Sequence, residues 1–121
     1  MIWRGLYRGA LAAARPALSV YLKRRLARGK EDPKRFPERL GHASVERPDG
    51  SLIWIHAASN GEAMSAQPLM AALAERDPAG AILLTTGTVT SARLMANRLP
   101  AGAVHQYAPI DQLGAVRRFL E

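Results

Sequence analysis

A polar turn that ends in a carboxylate, Ser59-Asn60-Gly61-Glu62, is the segment of this chain best suited to chemistry. It separates an apolar run from a helical pattern, so Glu62 is expected at the start of a helix. A carboxylate there could act as a general base on a hydroxyl docked at a sheet edge, and the positive helix end favours its ionised form. The S-x-x-E spacing of Ser59 and Glu62 is equally that of a capping box, and local sequence favours this cap over the base. Gly61 is expected to give the turn backbone conformations that other residues resist.

A second loop, residues 85–91, is rich in hydroxyl groups. Hydroxyls and amides at a helix N-terminus form a ready anion site. The loop is neither a dinucleotide-binding fingerprint nor a P-loop, because the glycine spacing and the lysine are absent. Ordinary N-capping by Thr or Ser is the local alternative. The candidate substrate-binding residues of the two loops are Ser59, Asn60, Gly61, Thr86, Thr88 and Thr90.

Other catalytic chemistries find little support in the composition. The chain has no cysteine, which excludes disulfides and thiolate metal sites. His42, His56 and His105 are widely separated and match no metal-binding spacing. His56 and His105 fall in predicted strands and are expected to be hydrogen-bonded structural histidines. We therefore predict neither a metal nor a cofactor.

A repeating strand–helix pattern must position the two loops. Three successive units imply an α/β fold with a parallel sheet and right-handed crossovers, in which ligands bind at the carboxyl ends of the strands. The first strand is a nearly continuous apolar run, as expected for a strand covered on both faces. Three strands make half of a typical doubly wound domain, and the chain stops at Glu121 inside a helical pattern, so we expect a fragment. The predicted strands are 52–57, 81–86 and 104–107, and the predicted helices are 64–76, 90–99 and 112–120, the last N-capped by Asp111.

The net charge of +7 is concentrated at the amino terminus, where residues 1–30 carry eight basic residues and no acidic ones. Apolar residues from Trp3 to Leu22 are spaced by three and four, so they share one face of a predicted helix that is interrupted near Pro16. The longest uncharged run, seven residues, falls short of the roughly 20 needed to span a bilayer. The pattern fits a helix lying at a lipid headgroup surface. The expected membrane contacts are Trp3, Arg4, Tyr7, Arg8, Tyr21, Lys23, Arg24 and Arg25.

Two alternatives for this basic helix stay open: it could pack on its own domain, or it could be an organelle transit peptide. A nucleic-acid interface ranks lower, because residues 31–121 hold nine basic and ten acidic residues and so lack a basic groove. Residues 31–50 are rich in Pro and Gly and read as a connector, with a short helical turn near residues 38–40.

Four short motifs follow one another along nearly the whole chain, at residues 38–41, 53–62, 84–90 and 107–120. They resemble, in the same order, the E-R-x-G, W-I-H-A-x-S-x-G-E, T-T-x-T-x-T and Y-x-P-x-D…R-F-L motifs of the bacterial 3-deoxy-D-manno-octulosonic acid (Kdo) transferases. The ordered set is far more specific than any one motif.

That resemblance implies a GT-B glycosyltransferase with two Rossmann-like domains. Residues 51–121 would form the first half of the acceptor-side domain, after a membrane-surface helix (1–30) and a connector (31–50), while the C-terminal donor domain is absent. The parent enzyme would transfer Kdo from CMP-Kdo to a lipid A precursor, with inversion, at the cytoplasmic face of the bacterial inner membrane. Glu62 matches the family's catalytic base, which reverses the local preference for the cap.

This sequence departs from the family pattern at Asn60, Ala63 and Ser91, where many members carry a small apolar residue, a threonine and a glycine. The donor domain and a later E-x-E-L-W-P segment are missing, so we expect this chain to be inactive alone. The alternative function is a noncatalytic membrane-surface binding module that keeps the Rossmann-like fold.

Overall fold

A computed structural model of the chain describes residues 2–121. The chain forms two compact units, one comprising residues 1–43 and 109–121 and the other residues 44–108. The functional division at residues 30 and 50 stays a prediction. In chain order the elements are α1 (Ile2–Ala13), α2 (Arg15–Ala27), α3 (Phe36–Arg39), β1 (Leu52–Ala57), α4 (Asn60–Arg76), β2 (Ala81–Thr86), α5 (Val89–Met95), β3 (Ala103–Tyr107) and α6 (Leu113–Leu120).

The unit of residues 44–108 contains a parallel three-stranded sheet in the order β1-β2-β3. At the carboxyl ends of the strands Ala57 pairs with Thr86, and Thr86 pairs with Tyr107. Strands and helices alternate along the chain, which confirms the predicted α/β class and its partial Rossmann-like fold. The three strands therefore present their following loops at one edge of the sheet.

The core of this unit lies on one face of the sheet. Leu84 of β2 is fully buried against Met70 of α4 and Met95 of α5, and Ala57 of β1 joins the same cluster. Both helices cover this face because right-handed crossovers between neighbouring strands in consecutive order return on the same side. Truncating Met70 or Leu84 to alanine would cost about 2–5 kcal/mol of stability.

The expectation that β1 is covered on both faces is wrong within the described unit. Ile53 and Trp54 are 42% and 51% exposed, and β1 is an edge strand. The helices α4 and α5 pack on only one face, so Trp54 and His56 alternate toward the other. There both side chains hydrogen-bond the Thr85 hydroxyl, at 2.9 Å each. The apolar composition therefore predicted the strand correctly but overestimated its burial.

The main differences between the helices and the sequence predictions are the start of α4, the end of α5 and the N-cap of α6. The helix α4 begins at Asn60 rather than residue 64, because Ser59 is its N-cap. The helix α5 ends at Met95 rather than residue 99. The predicted N-cap of α6, Asp111, is wrong: Gln112 occupies that position, and the Asp111 carboxylate accepts a hydrogen bond from the Tyr7 hydroxyl instead.

The other unit gathers α1, α2, α3 and α6. The predicted interruption near Pro16 is confirmed, since α1 ends at Ala13 and Pro16 lies in the first turn of α2. The apolar residues that the spacing placed on one face differ in exposure: Leu22 is only 2% exposed and packs against Ile110 and Ala115, whereas α1 has no buried residue. In the described part of the chain, no helix is both long and apolar enough to cross a membrane.

Two buried acidic residues stabilise the short connection between α2 and α3. Glu31 contacts Arg25 at 2.7 Å and Arg39 at 3.4 Å, and Arg35 donates two hydrogen bonds of 2.9 Å to Glu38. Both carboxylates are at least 97% buried. Buried charges of this kind are tolerated only when they are paired, so these arginines are structural.

Gly41 of the predicted E-R-x-G motif lies directly against α6. Its φ is +85°, in the left-handed region that favours glycine. A Cβ atom placed on Gly41 would lie 2.0 Å from the Ala115 carbonyl oxygen. The glycine of this motif is therefore required by backbone packing.

Candidate functional site

The candidate site lies at the carboxyl ends of β1 and β2, within the unit of residues 44–108. Because Ala57 and Thr86 are register partners, the loop that carries Glu62 and the hydroxyl-rich loop start side by side. Parallel strands place such loops where open α/β sheets bind ligands. The arrangement brings together the two loops that the sequence singled out.

The carboxylate of Glu62 is held by the backbone of its own turn. Ser59 is extended (φ −127°, ψ 165°), and its Oγ accepts a hydrogen bond from the Glu62 amide at 3.2 Å. Glu62 Oε2 in turn accepts from the Ala58 amide at 2.7 Å. This differs from a standard capping box, in which the carboxylate would bind the amide of Ser59 itself. The predicted N-cap by Ser59 is present, but the Glu62 carboxylate binds the amide of Ala58, one residue before the amide that it binds in a standard capping box.

Capping leaves half of this carboxylate available. Glu62 is exposed, and its Oε1 atom makes no hydrogen bond to any of residues 2–121. Oε2 fixes the orientation of the group, while Oε1 can accept a proton from a hydroxyl at the sheet edge. The cap and the base are therefore compatible roles.

A chain of side-chain hydrogen bonds joins the two loops. The fully buried hydroxyl of Ser91 donates to Asn60 Oδ1 at 2.6 Å. Since that uses its single hydrogen, Ser91 Oγ accepts from the Thr88 hydroxyl at 2.7 Å. Thr88 Oγ1 also accepts from the Ser91 amide at 3.1 Å and so caps α5. The network ties the first residue of α4 to the start of α5.

The remaining candidate substrate residues are placed differently. Thr86 is fully buried, and its hydroxyl lies 2.8 Å from Nε2 of His105, so the described fold already uses it. Thr90 is exposed in the first turn of α5. Ser59, Asn60, Gly61 and Thr88 lie at the exposed start of the two helices.

The conformational role expected of Gly61 is wrong. Gly61 lies in the first turn of α4, and it is not among the glycines with positive φ. A Cβ atom there would meet only Ser59 Oγ, at an ordinary 3.9 Å. The fold does not need glycine at this position, so the space beside Glu62 is open to an approaching ligand.

Both strand histidines are hydrogen-bonded, as predicted. His56 Nδ1 lies 2.9 Å from Thr85 Oγ1, and His105 packs edge-on against the Tyr107 ring in addition to its contact with Thr86. Across residues 2–121, no group of three His, Asp or Glu side chains is arranged to hold a metal ion.

The expected membrane contacts fall in the unit that contains α1 and α2. Trp3 and Tyr7 are 83% and 56% exposed on α1. Arg25 is instead bound to Glu31, which raises its already high pKa, and lies 5.8 Å from the Tyr21 ring centroid. The exposed set that remains is Trp3, Arg4, Tyr7, Arg8, Tyr21, Lys23 and Arg24.

Two features of the site were missed at the level of sequence. The Ala58 amide has no side-chain signature, so no sequence pattern could have assigned it to Glu62. The burial of Ser91 was also missed, although the T-x-x-S spacing from Thr88 signals a second helix cap. Its bond to Asn60 is a contact over 31 residues, which only the fold creates.

Comparison with known proteins adds an independent line of information. A family model described as 3-deoxy-D-manno-octulosonic-acid transferase (kdotransferase) matches residues 34–121. A probable 3-deoxy-D-manno-octulosonic acid transferase, mitochondrial, from Arabidopsis thaliana is 44% identical over 115 residues, covering 95% of this chain and 26% of that protein. Proteins named 3-deoxy-D-manno-octulosonic acid transferase from Rickettsia bellii and Bordetella pertussis are 38% and 36% identical, over 87% and 97% of this chain and 25% and 29% of theirs. The chain thus spans about a quarter of the length of these relatives. No solved structure matches it.

Proposed function

The chain belongs to the 3-deoxy-D-manno-octulosonic-acid (Kdo) transferase family, and on that premise we propose that it forms the acceptor-side portion of a glycosyltransferase of lipopolysaccharide biosynthesis. The observation that carries the proposal is the state of Glu62. Its carboxylate is exposed at the carboxyl end of the sheet, oriented through Oε2 by the Ala58 amide, with Oε1 left for a substrate.

The proposed reaction is a direct, inverting displacement on CMP-Kdo. A hydroxyl of the lipid A precursor docks beside Gly61 and gives its proton to Glu62 Oε1. The oxygen attacks the anomeric carbon of Kdo as the bond from that carbon to the CMP phosphate oxygen breaks, and CMP leaves with the bonding electrons. No covalent enzyme intermediate and no metal or other cofactor enters this scheme. General-base catalysis of this kind contributes about 10²–10⁴-fold to a rate.

Both loops would contact the acceptor. Ser59 and Thr88 cap α4 and α5, whose N-terminal first turns lie at the carboxyl ends of the strands and would favour an anionic group of the acceptor. Asn60 is fixed by Ser91, which keeps the Glu62 turn and the second loop in register. Thr90 is exposed beside them. CMP-Kdo would be bound mainly by a C-terminal donor domain, so we expect transfer only when that domain is supplied.

We place the protein at the cytoplasmic face of the bacterial inner membrane, where α1 would contact anionic lipid. Its exposed Trp3 and Tyr7 and its unpaired basic residues support this location. The same helix supports the second candidate function, a membrane-surface binding module without turnover. The two differ in one property, because only the enzyme needs the Glu62 carboxylate.

The decisive experiment is Kdo transfer from CMP-Kdo to a tetraacylated lipid A precursor. It compares the chain alone with a version extended through a donor domain, each with Glu62 and with Glu62→Gln. Glutamine keeps an oxygen for the Ala58 amide and so preserves the cap, but it cannot accept the proton. We expect the extended protein to lose about 10²–10⁴-fold in kcat on this substitution. Full activity of extended Glu62→Gln would leave Glu62 as a cap and favour the noncatalytic module.

A further inference from the structure

A groove in the unit of residues 1–43 and 109–121 has features that the proposed reaction does not use. It lies between α1 and the start of α6 and has a volume of about 410 Å³. That is in the range of small-molecule sites and has room for roughly a dozen groups the size of a water molecule. The groove is a defined cavity, whereas the exposed apolar side chains of α1 form only a surface.

The floor of the groove is mainly apolar. Leu11 and Val116 face it from the two helices, and Ala12 and Gly114 are small enough to leave it open. Water in this groove finds few polar partners along the apolar floor, so a hydrocarbon chain would displace it favourably. This lining indicates an extended hydrocarbon segment as the occupant.

The same groove carries an excess of positive charge. Arg8, Arg15 and Arg117 line it, and their guanidinium groups make no hydrogen bond or ion pair with any described residue. Asp111 is the single acidic residue among the described lining residues, and its carboxylate already accepts from Tyr7. Three guanidinium groups with free donors fit the planar, bidentate recognition of a phosphate group.

We propose that this groove binds one anionic phospholipid, with an acyl chain against Leu11 and Val116 and the phosphate among Arg8, Arg15 and Arg117. Charge complementarity selects the anionic headgroup, and the apolar floor selects a lipid over free phosphate. The inference rests on the proposed membrane location in one respect, because α1 must meet a bilayer for such a lipid to be at hand. The bound lipid would hold α1 against α6, so the attachment of the protein to the membrane would depend on the charge of the lipid headgroup.

The test uses short-chain lipids that dissolve as monomers, which separates the groove from general adsorption to vesicles. The chain is titrated with dihexanoylphosphatidylglycerol below its micelle concentration, and binding is followed by calorimetry and by amide chemical shifts. Dihexanoylphosphatidylcholine and glycerol phosphate are the comparison ligands. We expect one phosphatidylglycerol per chain, with shifts confined to α1 and α6, and at least tenfold weaker binding of either comparison ligand.

Matched variants locate the site. Arg8→Gln should weaken phosphatidylglycerol binding by about tenfold, since a charge-assisted hydrogen bond is lost. Arg4→Gln makes the same charge change on the same helix but outside the groove lining, and it should weaken binding by less than about threefold. Ala12→Trp fills the groove without removing a charge, and because Ala12 is exposed the helix should still fold. It should abolish binding.

Equal effects of Arg4→Gln and Arg8→Gln would overturn the proposal and assign the binding to the basic helix as a whole. Unchanged binding by a folded Ala12→Trp protein would overturn it as well, and so would equal affinity for glycerol phosphate. Binding is read directly and without turnover, so none of these results depends on whether Glu62 proves to be the catalytic base.

Discussion

Replacing Gly41 by alanine should destabilise the unit that contains α6 more than replacing Gly29, which lies in the same unit. The added Cβ would meet three backbone atoms of Ala115, the carbonyl oxygen at 2.0 Å, the carbonyl carbon at 2.9 Å and Cα at 3.1 Å. None of these belongs to a flexible side chain that could turn away. The helix α6 would have to move by more than about 1 Å, which a packed interior resists.

The magnitude has two parts. A left-handed backbone conformation costs an alanine about 1–2 kcal/mol, and Gly41 has φ +85°. Overpacking costs a further 1–3 kcal/mol or so when neighbouring backbone must shift. Together they predict a loss of about 2–5 kcal/mol in the free energy of unfolding, a large fraction of the stability of a typical domain.

Gly29 provides the matched control. It lies in the same unit with φ +68°, and nothing is within 4 Å of its added Cβ. Gly29→Ala should therefore cost only the backbone part, about 1–2 kcal/mol. Urea unfolding followed by circular dichroism gives both values. If Gly41→Ala proved no more destabilising than Gly29→Ala, the close approach of residue 41 to α6 would be refuted.

Three further predictions concern the site and the groove. Gly61→Ala should raise the free energy of unfolding by up to about 1 kcal/mol, because glycine is unfavourable in a helix. The same substitution should lower Kdo transfer by the extended protein. A variant that is more stable and fully active would show that the acceptor does not approach beside residue 61. Ser91→Ala should lower the free energy of urea unfolding by about 1–2 kcal/mol, and by less once Asn60 is already alanine, because only the hydrogen bond from Thr88 is then left to lose. A double-mutant cycle measures the difference. The hydrogen bond to Asp111 raises the pKa of Tyr7 above its ordinary 10.0. This bond should stabilise the folded chain at pH values below 10.0, and the stabilisation should be lost as the pH rises through the folded-state pKa of Tyr7. The free energy of unfolding of Tyr7→Phe, measured across alkaline pH, should not show this loss.

The positions of the strands and the catalytic candidate followed from local sequence patterns. Apolar runs of strand length, helical spacing after each run and the S-x-x-E turn before Glu62 are all properties of a few neighbouring residues. They predicted β1 and β2 to the residue and β3 to within one. The parallel arrangement then placed the two candidate loops at one edge, because alternation of strands and helices leaves few other topologies.

The details that failed depend on contacts between residues far apart in sequence. Asp111 accepts a hydrogen bond from Tyr7 and does not cap α6, and Arg25, an expected membrane contact, pairs with Glu31. Leu22 turned inward because α2 meets Ala115 of α6. The intrinsic helix or strand propensity of a residue can be read from its type, whereas its hydrogen-bond, ion-pair or packing partner depends on which elements the fold brings together.

The sequence alone therefore determined which segments form strands and helices, and which carboxylate stands at the carboxyl end of the first strand. Only the tertiary structure decided that Glu62 can cap α4 and still offer Oε1, that Ser91 joins the two loops, and that free arginines surround an apolar groove. The physical reason is that hydrophobic periodicity acts over one or two turns of chain, whereas hydrogen-bond partners, burial and cavities are set by the packing of distant elements.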